Sequence, residues 1–275
     1  MWRVATLVMI PKAEAFKWRL IAMLVTPYRV WARMAGEDVS RWMAALNKPW
    51  IANGPKQSAE QAVYDIALNT EADNGEYGKI NMVIMDDLEK GFEKVIHDDL
   101  VKKAKVYQFP ENPLTMALSM YKAARRIRCG KAFSKPVITD IGVLAGCPIA
   151  MGLLLLASLD PIERFWSKLP QHMKESIALF KVYVDDYIIL LSFDSNKLDR
   201  NQIVTRAKGI YTRLAHEIKQ AGGNFAVGKG RIACTDHTIA SDTVKSLNVC
   251  ECRAESSSDS KCNCSTTCTF HSHEV

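Results

Sequence analysis

The sequence has no apolar run long enough to cross a bilayer: the longest, Ile149 to Leu159, is interrupted by Gly152 and falls far short of the roughly 20 residues a spanning helix needs. A secretory leader is not expected either. Met1 to Ile10 is only mildly apolar, Pro11 and Lys12 follow at once, and there is no small-residue cleavage site. Cysteine is scarce in the body, with Cys129, Cys147 and Cys234 alone before residue 250, so a disulfide scaffold is excluded and reduced thiols are expected. Internal repeats are lacking. These absences point to an intracellular protein, nuclear or cytoplasmic, not secreted and with no membrane partner.

At 275 residues and 48% hydrophobic content, the chain can bury a sizeable core in one large domain or two subdomains. Its formal net charge is +6, and because Glu251, Glu255, Asp259 and Glu274 outnumber Arg253 and Lys261 in the last segment, residues 1–250 carry +8. A basic body favours a polyanionic partner.

Two strand-like apolar runs, Val4 to Ile10 and Leu20 to Val25, joined by the charged link Lys12 to Arg19, predict a hairpin with a basic loop. Tyr28 to Leu46 and Ser58 to Leu68 predict helices, the second following the turn Asn53-Gly54-Pro55. Asn74-Gly75 and Gly78 mark a loop, and the run Ile80 to Met85 is short enough for a buried strand ending at Asp86-Asp87. Helices are expected over Phe92 to Lys105, Leu114 to Ala124 and Gln202 to Gln220, with a basic cluster of Arg125, Arg126, Arg128 and Lys131 after the second. Ile127 to Ile141 has mixed strand character, and Gly142 to Leu156 passes from a turn into an apolar helix. Leu179 to Val184 and Tyr187 to Phe193 are β-rich runs separated only by Asp185-Asp186. That is a hairpin, yet its turn is not the Asn-Gly or Asp-Gly that bare hairpins prefer.

Adjacent carboxylates at a hairpin tip repel each other, and a divalent cation neutralises them. Asp185-Asp186 is therefore half of a candidate metal site, and Asp87, at the end of a neighbouring predicted strand, is a candidate third ligand. Three oxygen donors suit Mg²⁺. For either pair alone a plainer reading stays open: a solvated turn for Asp185-Asp186, a helix N-cap for Asp86-Asp87.

Tyr183-Val184-Asp185-Asp186, set between apolar strands, matches the tetrapeptide of reverse transcriptases. The stretch from Asp87 through Lys90, Gly91, Phe92 and Glu93 to Val95 resembles that family's first catalytic motif, D-x-x-K-A-F-D-x-V, in a register that selects Asp87 over Asp86. Gly142 to Ala150 is similar to the middle segment G-V-x-Q-G-C-P-L-S, in the same order along the chain. Ile10-Pro11-Lys12, Trp18-Arg19-Leu20-Ile21 and Tyr28-Arg29 resemble the fingers segment, and Gly54 with Ser58-Ala59 looks like a short motif of non-LTR retrotransposon enzymes. Over residues 4 to about 235 the chain thus resembles a non-LTR-type reverse transcriptase domain.

The resemblance implies an α+β fold of right-hand fingers and palm, an antiparallel palm sheet flanked by helices and no thumb. Residues 1–78 would be fingers-like, 79–249 palm with a fingers-like insertion at about 107–141, and 250–275 a disordered tail. It implies an RNA-directed DNA polymerase, with two Mg²⁺ (or Mn²⁺) ions on Asp87, Asp185 and Asp186, an RNA template, a DNA primer and dNTP. Lys12 and Arg19 would hold the triphosphate. Phe92 would exclude a 2′-hydroxyl, Gly146 and Tyr183 would line the substrate, and Lys229, between Gly228 and Gly230, would supply the lysine near the palm's end.

Departures matter as well. Ala145 stands where the family commonly has Gln, and Ala150-Met151 replaces a usual Ser-Pro, so a fragment or decayed copy of a retroelement protein is expected. Two rivals follow: a catalytically inactive remnant that binds nucleic acid through its basic clusters, and an RNA-dependent RNA polymerase, against which Val184 and Phe92 argue. Cys250, Cys252, Cys262, Cys264, Cys268, His271 and His273 are zinc-type ligands at a spacing that fits no common zinc pattern.

Overall fold

The structure, a computed structural model, describes residues 4–11, 18–54, 57–74, 78–247 and 250–251. The expectations for Lys12 and for the tail beyond residue 251 lie outside the described residues.

The chain begins with β1 (Val4–Pro11) and β2 (Trp18–Met23), an antiparallel pair as the two apolar runs predict. Helix α1 (Thr26–Leu46) and helix α2 (Ala59–Asn74) follow, then strand β3 (Lys79–Asp87). The helix expected from Phe92 begins later: residues 89–94 form a turn, and α3 runs His97–Val106. The turn is drawn down by two bonds from the middle segment, since Val143 N–H donates to the Phe92 carbonyl (2.7 Å) and Gly142 N–H to that of Val95 (2.7 Å). Next come α4 (Glu111–Tyr121), β4 (Ala124–Cys129), β5 (Ala132–Phe133), α5 (Ala150–Lys168) and the short α6 (Gln171–Lys174). Strands β6 (Ile177–Tyr183) and β7 (Asp186–Asp194), helix α7 (Arg200–Gln220), β8 (Arg231–Cys234), α8 (His237–Leu247) and β9 (Cys250–Glu251) complete the described chain.

Two sheets result. A four-stranded sheet has the order β2-β1-β4-β5, with β4 parallel to β1 and the other neighbours antiparallel. A five-stranded sheet has the order β6-β7-β3-β8-β9, antiparallel except for β8-β9. The segment that leaves the second sheet after β3 thus returns to the first as β4.

The core gathers around α5. Its first half is apolar all round, which is the pattern of a helix enclosed on every side, and Leu153, Leu154, Leu155, Leu156 and Leu159 are buried. Gly152 lets α1 press close: a Cβ there would stand 2.3 Å from the Val39 side chain. On β3 the alternate residues Met82, Ile84 and Asp86 are buried, as are Tyr187, Ile189, Leu191 and Phe193 on β7. Strand geometry puts successive side chains on opposite faces, so Asp87 and Asp186 fall on the other, more open face. Among the described residues no helix is long and apolar enough to cross a membrane.

Candidate active site

The sheet register gathers the carboxylates. β3 and β7 pair so that Asp87 lies opposite Asp186, and β6 and β7 pair so that Tyr183 lies opposite Asp186 on its other side. The connection between β6 and β7 is therefore Val184-Asp185, one residue earlier than the Asp185-Asp186 turn expected from the sequence; Asp186 is already the first residue of β7. Val184 has φ 60°, a left-handed conformation that a β-branched residue rarely adopts and that costs about 1–3 kcal/mol. This turn aims Asp185 back at the strand end, and Leu88 N–H secures it by donating to the Asp185 carbonyl (2.9 Å). One carboxylate oxygen from each of Asp87, Asp185 and Asp186 then lies within 4.8 Å of the others.

Electrostatics follow from that proximity. Burial, then the Asp87 charge, push the Asp185 carboxyl up to about 6. Burial and Asp87 push Asp186 up as well, with Lys229 opposing. Lys229 arrives from the segment that leads into β8, the strand beside β3: Ala226 N–H donates to the Asp87 carbonyl (2.8 Å) and Glu89 N–H to that of Asn224 (2.8 Å), which ties this segment to the exit of β3. Its ammonium pairs with the Asp87 carboxylate. Asp87, Asp186, Tyr183, Lys229 and Arg231 open onto a cleft of about 440 Å³ whose other wall is Ala62 and Val63 of α2. Three clustered oxygen donors, Asp87 and Asp185 partly buried and Asp186 exposed, form a donor set that could hold a hard divalent cation.

The neighbouring Asp86 serves a different end. It is buried on the helix-covered face, accepts a hydrogen bond from the Tyr211 hydroxyl of α7, and accepts one from Asp87 N–H at 2.9 Å. Burial raises its carboxyl and the Tyr211 bond opposes the shift. Nothing local in the sequence signals this partner, which comes from 125 residues away.

Other residues singled out in the sequence are dispersed around this centre. Phe92 is partly buried against the core in the turn beyond β3. Arg19 is exposed on β2, opposite Ile10 of β1. Gly146 (φ +98°) sits where a Cβ would lie 3.2 Å from the Ala22 carbonyl, and Ala22 N–H donates to the Ala145 carbonyl at 2.9 Å. The middle segment therefore stitches β2 to the turn after β3. Its Gly142 carbonyl accepts from His97 Nε2 (3.0 Å) and from Arg125 Nη2 (3.0 Å), so Arg125 of the basic cluster is turned inward. Gly54 and Ser58 lie in the link to α2, where Ala52 N–H pairs with the Val182 carbonyl of β6 (3.0 Å) and Ser58 caps Gln61 N–H (3.1 Å).

No protein-family model matches the chain, and no curated protein matches it by sequence. Solved structures do. An apo telomerase from Candida tropicalis, truncated from its C-terminal domain, superposes with TM-score 0.57 and 13% identity over 86% of this chain and 51% of that one. A telomerase from Candida tropicalis in complex with the TWJ fragment of telomeric RNA gives TM-score 0.61 and 12% identity over 86% of this chain and 41% of that one. The chain thus spans about half or less of the solved chains it matches, and at such identity the likeness concerns the fold alone. The fold is that of reverse-transcriptase-like polymerases, fingers and palm.

Proposed function

We propose that this chain is the fingers and palm of an RNA-directed DNA polymerase of retroelement type, which adds dNTPs to a primer 3′-hydroxyl along an RNA template. The observation that carries this reading is the gathering of Asp87, Asp185 and Asp186 within 4.8 Å at the paired ends of β3 and β7. These three residues would hold Mg²⁺, which when bound supplies Lewis-acid neutralisation of phosphate charge. The remaining roles belong to the chain. The strained turn at Val184 fixes Asp185 against the strand end, so its carboxylate need not be ordered at the moment of reaction. Lys229, beside Asp87, contributes positive charge where a triphosphate would bring negative charge. Tyr183 flanks Asp186 in the cleft, Phe92 stands in the turn beyond Asp87 as the residue that would sense the sugar, and Arg19 offers a guanidinium from the fingers. On this reading residues 1–78 and the insertion at about 107–141 make the fingers, and 79–249 the palm.

A second reading, a nucleic-acid-binding remnant without catalysis, is favoured by Ala145: its carbonyl is engaged by Ala22, but its methyl side chain offers no polar group to a template or nucleotide. Primer extension on an RNA template with Mg²⁺ and dNTPs, in parallel with NTPs and with Asp185→Ala, decides. Extension with dNTPs that Asp185→Ala abolishes supports the polymerase; extension with NTPs alone would turn the reading to an RNA polymerase; binding of template without extension would leave the remnant.

A further inference from the structure

The carboxylate cleft has an underside. Successive residues of a strand point to opposite faces, so the strands that bring Asp87 and Asp186 to the cleft send their neighbours, Asp86 and Tyr187, to the helix-covered face, where both are buried. Two further aromatic residues meet them there. The Tyr211 hydroxyl of α7 donates to the Asp86 carboxylate, and its ring stacks on Phe225 with centroids 5.8 Å apart and an interplanar angle of 24°. Tyr187 meets the same Phe225 ring at 5.4 Å and 76°. We propose that Phe225 is a positioning residue, whose clamped ring sets where the Lys229 ammonium stands relative to the carboxylates. The consequence for dNTP use rests on the polymerase reading above, whereas the positioning itself does not.

The chain between α7 and β8 has little stiffness of its own. Gly222 (φ +83°) and Gly223 open it, and Gly228 (φ +77°) and Gly230 flank Lys229; glycine restrains the backbone less than any other residue. One antiparallel bridge, between Phe225 and Leu88, ties the segment to the exit of β3. Its two bonds, Ala226 N–H to the Asp87 carbonyl and Glu89 N–H to the Asn224 carbonyl, define a hinge line about which the segment can still rock. The Arg231 guanidinium donates to the Gly228 and Gly230 carbonyls, each at 3.0 Å, but Arg231 adjoins the same turn and so fixes its shape, not its tilt.

The Phe225 side chain projects away from the hinge line. A stack on one side and an edge contact on the other prefer a definite distance and tilt, so the clamped ring stops the rocking. The restraint reaches Lys229 through a single turn, in which Lys229 N–H donates to the Ala226 carbonyl (3.1 Å). Tyr211 joins the two halves of the site. Its hydroxyl holds Asp86, next to Asp87, and its ring holds Phe225, so the end of β3 and the Lys229 turn are registered on one point of α7. A leucine at 225 would fill part of the space without fixing the tilt.

Reactivity of Lys229 in the full, metal-free chain tests the positioning without any catalysis. Limiting acetic anhydride labels lysines, peptide mass spectrometry reads each one, and Lys102, whose side chain is 78% exposed, is the internal standard. In the wild type the ammonium is paired with the Asp87 carboxylate; Phe225→Leu should label Lys229 about fivefold faster, the worth of one aromatic contact, and Phe225→Tyr should label it like the wild type. Leu156→Ala, in the distant core, should melt lower and leave Lys229 labelling unchanged, which separates positioning from loss of stability. In primer extension, Phe225→Leu should lower kcat/KM for dNTP about five- to tenfold. Added to Lys229→Met it should lower kcat/KM no further, because a residue that acts through the lysine has nothing left to position. Unchanged Lys229 labelling in Phe225→Leu, or losses that add in the double variant, overturns the proposal. If the wild type extends no primer while Phe225→Leu still exposes Lys229, the polymerase reading falls and the positioning stands. If extension succeeds while Phe225→Leu labels and extends like the wild type, the positioning falls and the polymerase stands.

Discussion

Asp185 carries the cost of the site. In the unfolded chain its carboxyl titrates near an ordinary 3.8, and in the folded one near about 6. The folded state therefore binds the proton more tightly, and metal-free stability is lost as pH rises through that interval. Asp185→Asn should accordingly raise the metal-free melting temperature at neutral pH. The gain is about 1 kcal/mol once solvent screening of a half-buried group is counted, or roughly 2–4 °C, and it should vanish below about pH 4. Adding Mg²⁺ should raise the melting temperature of the wild type and not of the variant, and primer extension should fall about a thousandfold or more. A variant that melts lower without metal would make Asp185 a structural residue. Asp86 behaves differently. Tyr211→Phe removes the hydroxyl that supports its buried carboxylate, so it should cost about 1–3 kcal/mol at neutral pH. Because the lost bond favoured the ionised form, the cost should shrink in acid, which denaturant titration at two pH values measures.

At the scale of elements, the middle segment decides how β2 meets the turn after β3. Gly146 lies against the Ala22 carbonyl with φ +98°, so Gly146→Ala meets both a close contact and a disfavoured backbone. About 1–3 kcal/mol of destabilisation is expected. The displaced strand is β2, not β3 or β7, so KM for dNTP should rise while the thermal shift produced by Mg²⁺ stays at the wild-type value. A variant that instead loses the Mg²⁺ shift would mean the segment supports the carboxylates themselves.

For the whole molecule, α5 is the element on which α1, α3 and α7 converge. Leu156 is fully buried in it, and Leu156→Ala should cost about 2–5 kcal/mol through lost transfer energy and a residual cavity. That corresponds to roughly 4–20 °C in melting temperature at this chain size. A loss well below this would mean the site collapses on deletion and that the core is less tightly packed than its burial implies.

Much of this architecture was written in local patterns. Alternating and continuous apolar runs set β1, β2, β3, β6 and β7, and helical spacing set α2 and α7, whereas the choice of Asp87 over Asp86 rested on resemblance to a family motif. Those features are local because each strand or helix reports its own buried face through its own periodicity. The structure alone decided what depends on partners. The turn falls on Val184-Asp185 because pairing with Asp87 and Tyr183 draws Asp186 into β7. Arg125 turns inward, where its guanidinium donates to the Tyr121 and Gly142 carbonyls. Lys229 reaches Asp87 through bonds between segments over 130 residues apart, and β4 joins β1 in parallel across a separation of 120 residues. No local pattern encodes those meetings, because the free energy that selects them comes from pairing and burial between distant segments.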